Sequence, residues 1–154
     1  SLMSVDTYNI LPIKSTYNAL TVQAQKQVTC LAENIYFEAG HEPLEGKKAV
    51  AFVTLNRVQS GYADNICDVV KQKTGKTCQF SWYCDGKSDN PKDTEAWDRA
   101  MKFASDMIIH SKYRGVTEGS THYHASYVKP YWAPTLDRVA RIGSHIFYRA
   151  KGSK

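Results

Sequence analysis

The stretch NIYFEAGHEPLEG, Asn34 to Gly46, sets Glu38 on one side of Gly40 and Glu42 and Glu45 on the other. Upstream of it, Ala24, Val28, Leu31, Ala32, Ile35 and Ala39 recur at helical spacing. That pattern predicts an amphipathic helix over 22–39, stopped by Gly40. At about 100° per residue with Leu31 as zero, the apolar stripe covers about 0° to 100°, Glu33 falls near about 200°, and Glu38 falls near about −20°. Glu33 is expected to face water, whereas Glu38 sits on the margin of the buried stripe. A carboxyl there is costly to ionise, so its pKa is expected to rise. This is the condition a general acid needs at neutral pH, and glycosidic cleavage often uses such an acid. The plainer reading is a helix-end glutamate whose stem packs while its head reaches water.

Downstream, Pro43 suits the first turn of a second helix running to about Gln59, stopped by Ser60-Gly61. Its middle, Ala49-Val50-Ala51-Phe52-Val53, is apolar on every side and should pass through the core. Glu42 and Glu45 stand at its start, where the helix dipole stabilises negative charge. Ile66, Val69 and Val70 predict a short third helix. CQFSWYC (Cys78 to Cys84) alternates like a strand, and DGKSDNPKD is a turn-rich loop. Trp97, Ala100, Met101, Ala104, Met107 and Ile108 predict a further amphipathic helix ending before Gly115. Two strand-like pieces, THYHASY and HIFYR, flank the proline-rich KPYWAP. The fold class is a mostly helical α+β domain over 21–154, with residues 1–20 as an extension wrapping the surface.

At 154 residues the chain is long enough for one domain with a real core and short for two. Its net charge of +5 favours an anionic partner. The basic groups (Lys71, Lys73 and Lys76, then Arg138, Arg141, Arg149, Lys151 and Lys154) come with no nucleic-acid motif. No run reaches the length of a transmembrane span, so membrane insertion is not expected. Ser1-Leu2-Met3 reads as the edge of an excised domain, and any export signal is expected to lie outside it. Among the four cysteines, Cys30 falls on a helix face as a small buried hydrophobe. Cys67, Cys78 and Cys84 are close enough for one disulfide, which suits a periplasmic or extracellular site.

Other chemistries compete. On a strand, His122 and His124 share a face and could ligate zinc, with Glu38, His41 or His145 as a third ligand. The same spacing also arises from two ordinary histidines beside a groove, and no HExxH accompanies them. A Cys–His nucleophile is weaker, because Cys30 lies in mid-helix rather than at an activating helix N-terminus. Asp85, Asp137 and Glu118 are too remote in sequence to assign as second carboxylates.

Four ordered blocks, AENIYFEAGHEPLEGKKAVAFVTLNRV, CQFSWYCDG, THYHASYVKPYWA and RIGSHIFYR, span about Ala32 to Arg149. On these the chain resembles the SleB/CwlJ family of bacterial cell-wall hydrolases, known from spore cortex-lytic enzymes and phage lysins. The resemblance implies a lysozyme-like fold, a peptidoglycan substrate, and a catalytic glutamate that aligns with Glu38. Members commonly read Arg-Gly where this chain has Gly40-His41, which bears on the shape of that loop. The family is also similar to lytic transglycosylases, which cleave the MurNAc–GlcNAc β-1,4 bond with one acid/base glutamate and leave a 1,6-anhydro end. That reaction requires no second carboxylate and no cofactor. Glu42, Gln79, Ser81, Tyr123 and His124 are the candidates for holding substrate, with Phe80, Trp82, Tyr131 and Trp132 as stacking walls. A periplasmic, cell-wall or extracellular monomer, virion-associated in the phage case, is the corresponding setting. The rival functions are a lysozyme-type hydrolase using a second carboxylate, a zinc-dependent stem-peptide peptidase or amidase, and a non-enzymatic wall-binding module.

Overall fold

The computed structural model describes residue 18 and residues 20–110 and 119–152. The surface-wrapping extension expected before residue 20 falls almost wholly outside the described residues, as do Glu118 and the stretch leading to Gly115. Four α-helices lie among the described residues: α1 (Val22–Ala39), α2 (Leu44–Gln59), α3 (Ile66–Val70) and α4 (Thr94–His110). A two-stranded ribbon pairs β1 (Lys73–Thr74) with β2 (Thr77–Cys78), and β3 (His122–Ala125), β4 (Leu136–Ile142) and β5 (His145–Ala150) form an antiparallel sheet in the order β3-β5-β4. The α+β expectation holds.

Helix α1 begins where Thr21 Oγ1 accepts the Ala24 N–H at 3.1 Å. It ends at Gly40, by close approach rather than by a left-handed cap. Gly40 stays right-handed (φ −56°), and a Cβ on it would stand 2.5 Å from the Tyr36 carbonyl oxygen. A side chain at this position would press on the Tyr36 carbonyl, so the turn as it stands takes a glycine. Pro43 caps α2 from just outside.

As its all-round apolarity predicts, α2 runs through the core. Ala51 and Phe52 pack with Val28, Leu31, Ala32 and Ile35 of α1 and with Ala100, Ala104 and Met107 of α4. Its other side, Ala49, Val50 and Val53, packs on Ala39 and on Phe147 of β5. Buried Asn34 crosslinks three elements: its amide donates to Thr54 Oγ1 of α2 at 3.2 Å and accepts from Trp82 Nε1 at 2.8 Å. Such a satisfied amide fixes register where apolar contacts alone would let helices slide.

Three expectations need correction. CQFSWYC is not a strand: β2 stops at Cys78, and Ser81–Cys84 is a 3-10 turn. Its alternating burial is real, with Phe80 and Trp82 buried and Gln79 and Ser81 exposed. A Cys78–Cys84 disulfide holds the ends at 5.8 Å between Cα atoms, where a strand of that length would reach about 20 Å. The second correction is that Cys30 is not a free thiol but bonds Cys67, joining α1 to α3. There are thus two disulfides, and helical periodicity marked Cys30 as buried without revealing that α3 docks over it. Lastly, Glu33 is half-buried rather than solvated, and burial raises its pKa against the opposing charge of Lys71. Strand β4 was not legible as a strand, because a bulge between Arg138 and Ala140 breaks its alternation.

Candidate active site

Glu38 stands in the last turn of α1, one residue before its end, where the helix meets β3. There the Tyr123 hydroxyl donates a hydrogen bond to Glu38 Oε1. Strand pairing explains the meeting: Tyr123 lies opposite Phe147 in register, and Phe147 is fully buried against α2, so Tyr123 is carried to the inner face of the sheet. Burial raises the Glu38 pKa, and the Tyr123 hydrogen bond and the Arg57 charge oppose that rise. Burial, then the neighbouring carboxylate, pushes the Tyr123 phenol well above its ordinary range, so it remains a donor.

Arg57 of α2 was missed by the sequence reading. Its side chain is 5 % exposed, its Nε donates to the Thr121 carbonyl at 2.7 Å, and its Cζ lies 5.0 Å from the Phe80 ring centre and 5.6 Å from that of Tyr62. The signal was an arginine inside a helix otherwise read as a core helix. Beside it, Asn56 donates to the Ser120 carbonyl at 2.8 Å. Two consecutive α2 side chains therefore hold the backbone leading into β3.

His122 and His124 do share a face, as the strand period requires: Trp132 lies 5.3 Å from one ring and 5.7 Å from the other. His124 is engaged at both nitrogens, with the Ala125 carbonyl at 2.7 Å and the Tyr148 hydroxyl at 2.9 Å. His122 Nδ1 meets Thr121 Oγ1 at 2.9 Å. Among the described residues no group of three or more His, Cys, Asp or Glu side chains is arranged to hold a metal.

Glu42 is held elsewhere. Its Oε1 accepts from the Ser144 N–H at 2.9 Å and hydroxyl at 2.8 Å, with His145 Nδ1 at 3.6 Å. Burial disfavours its charge, but the two Ser144 hydrogen bonds, then His145 and Lys47, outweigh that and hold the carboxyl below its usual pKa. Gly143 takes φ +58°, and a Cβ there would stand 2.6 Å from Glu42 Oε1. Glu42 thus latches the β4–β5 turn to the α1–α2 link. Glu45 pairs with Lys48 at 3.1 Å on the surface.

Of the remaining candidates, Gln79 and Ser81 are exposed on either side of buried Phe80. Phe80 and Trp82 belong to the cluster against which Tyr123 and Phe37 pack, and Phe37 stacks on Trp82 at 4.8 Å. Trp132 is half-buried over the outer sheet face, whereas Tyr131 is 92 % exposed. A pocket of ≈ 430 Å³, lined by Asn56, Gln59, Ser60, Tyr62, Gly119, Thr121 and Ala150, shares Tyr62 and Thr121 with the surroundings of Arg57.

A family model described as Cell Wall Hydrolase matches residues 41–148. The match takes in Arg57, the 78–84 turn, β3 and β5 as far as Tyr148, and it begins just after Glu38. Among solved structures, the catalytic domain of the germination-specific lytic transglycosylase SleB from Bacillus anthracis is similar, at 25% identity and a TM-score of 0.63. That match covers 86% of this chain and 98% of that one. The catalytic domain of the Bacillus cereus SleB protein is similar in fold, at 24% identity and a TM-score of 0.62, over 85% of this chain and 94% of that one. A search of curated proteins finds no match.

Proposed function

The chain belongs to the cell-wall hydrolase family, and on that premise we propose that it cleaves the MurNAc–GlcNAc β-1,4 bond of peptidoglycan as a lytic transglycosylase, with Glu38 as general acid and base. The observation that carries this reading is the pairing of a partly buried, protonation-prone carboxyl with a phenol that holds one of its oxygens. Tyr123 occupies Oε1, which leaves Oε2 to deliver the proton. Glu38 protonates the glycosidic oxygen as the bond from that oxygen to the muramoyl C1 breaks. The resulting carboxylate then takes the proton of the muramoyl 6-hydroxyl while O6 bonds to C1. The ring closes, Glu38 regains its proton, and no water is consumed.

Occupation of Glu42 supports the same choice. A hydrolase needs a second carboxylate to activate water or trap the sugar, and the nearest one in sequence is committed to Ser144 and His145. The activity of the Bacillus anthracis relative adds to the case.

The test is mass spectrometry of muropeptides released from purified peptidoglycan. Products lighter by one water and resistant to borohydride reduction are expected. Reducible muropeptides throughout would establish ordinary hydrolysis instead, and cut stem peptides on an intact glycan would overturn both glycosidic mechanisms.

A further inference from the structure

Burying a guanidinium is costly unless an anion compensates it. Arg57 is 95 % withdrawn from water in the sense that only 5 % of it is exposed, yet no carboxylate among the described residues touches it. Its Nε is satisfied by a backbone carbonyl, and its Nη1 is buried with no hydrogen-bond partner. The Phe80 and Tyr62 rings hold the cation by their faces. Thr121, to which it is tied, lies two residues before Tyr123, whose hydroxyl donates to Glu38 Oε1, and among the described residues Glu38 is the carboxylate whose charge, after the Tyr123 and Tyr62 phenols, acts on Arg57.

We propose that Arg57 is a positioning residue for the Glu38 reaction: a fixed positive charge, hung from the Thr121 carbonyl and clamped between two rings, against which the Glu38 carboxylate forms when its proton leaves. The inference rests on the reading of Glu38 as the acid/base. A preorganised charge of this kind stabilises a developing anion without any movement at the moment of reaction. The Thr121 carbonyl and the two ring faces offset part of the cost of burying the cation, and an anion adds to that only during the half of the cycle in which Glu38 is ionised. A residue retained for stability alone would be better replaced by a hydrophobe of like volume.

Among the described residues, the titratable groups around this charge come from three places. Glu38 comes from α1, Tyr62 from the α2–α3 connection, and His122 and Tyr123 from β3. His145 of β5 stands behind Tyr123 at 5.1 Å, with Glu42 beyond it. Arg57 pulls the Glu38 pKa down against burial. Without the cation that pKa rises, so the acid keeps its proton to higher pH and donates it less readily.

The experiment compares pH profiles of kcat/KM on purified glycan strands for the wild type, Arg57→Met, Arg57→Gln and Arg57→Lys. The methionine and glutamine variants should lose activity by about tenfold or more at their optimum, with the alkaline limb moved to higher pH. Lysine keeps the charge and should return the limb toward its wild-type position. Methionine fills similar volume without a charge, so it remains informative even if glutamine fails to fold. A limb unmoved in Arg57→Met, with equal losses in all three variants, would reduce Arg57 to a clamp on Thr121 and overturn the proposal. Glu38→Gln, measured alongside, separates the two ideas. If it stays active, the acid/base reading itself fails; if it is inactive while the Arg57→Met profile is unchanged, only the role of Arg57 fails.

Discussion

At the scale of single residues, the acid/base role proposed for Glu38 comes at the expense of stability. Its folded-state pKa lies above the ordinary 4.5, so the fold prefers the neutral acid. The stability this contributes is fully present below the unfolded pKa and is lost as pH rises through the folded value. Glu38→Gln is neutral at every pH and still accepts a hydrogen bond from Tyr123. It should therefore melt higher than the wild type at about pH 7 and alike at about pH 4, while activity falls by about 10² to 10⁴. Thermal melts at the two pH values, with turnover on peptidoglycan, check both halves. A glutamine variant with near-normal turnover would end the assignment. Glu33, five residues earlier on the same helix, also has a raised pKa, so a perturbed carboxyl is not by itself a site. What distinguishes Glu38 is the convergence of Tyr123 and Arg57 upon it.

At the scale of elements, the disulfides pin short pieces whose few apolar side chains form a core cluster of their own. Helix α3 has five residues, too few to be stable alone, and Cys30–Cys67 ties it to α1 across 37 positions. In the chain-entropy model a closure of that length contributes about 4 kcal/mol, and the six-position Cys78–Cys84 closure about 2 kcal/mol. Cys67→Ala should accordingly lower Tm by roughly 10 °C, and Cys84→Ala by less. Thiol titration of the unfolded, unreduced protein should find no free cysteine; a reactive Cys30 would refute the pairing. The smaller bond presents Phe80 to Arg57, so losing it should impair activity out of proportion to its effect on melting. Two disulfides also fit an oxidising setting at the wall or outside the cell.

At the scale of the whole molecule, α2 is the shared wall between a helical half and the sheet. It receives α1 and α4 on one side and Phe147 on the other, so the end of α1 and the inner face of β3 meet beside it. The site is thus assembled from side chains of the chain itself. Prolonged chelation with EDTA should leave the rate of wall clearance unchanged, because the acid/base cycle proposed for Glu38 needs no ion and His124 is engaged at both nitrogens. Activity lost to EDTA and restored by zinc would instead favour a peptidase built on the β3 histidines. The net charge of +5 acts at longer range, concentrating the protein on an anionic wall.

The sequence by itself determined what depends on local periodicity. Helices α1, α2 and α3, the shared face of His122 and His124, and the marginal position of Glu38 follow from periods of 3.6 and 2, which a chain carries in its own order. Tertiary structure alone decided which distant groups meet. Tyr123 reaches Glu38 across 85 positions, Arg57 reaches Thr121 across 64, and Glu42 is drawn away to Ser144 across 102. The conformation of residues 78–84 belongs with these. Alternation reports which side chains are buried, but a disulfide and a buried indole hydrogen bond decide whether the backbone beneath them is extended or coiled. Periodicity states which face of an element is apolar; it cannot state what lies against that face, because that depends on the packing of every other element.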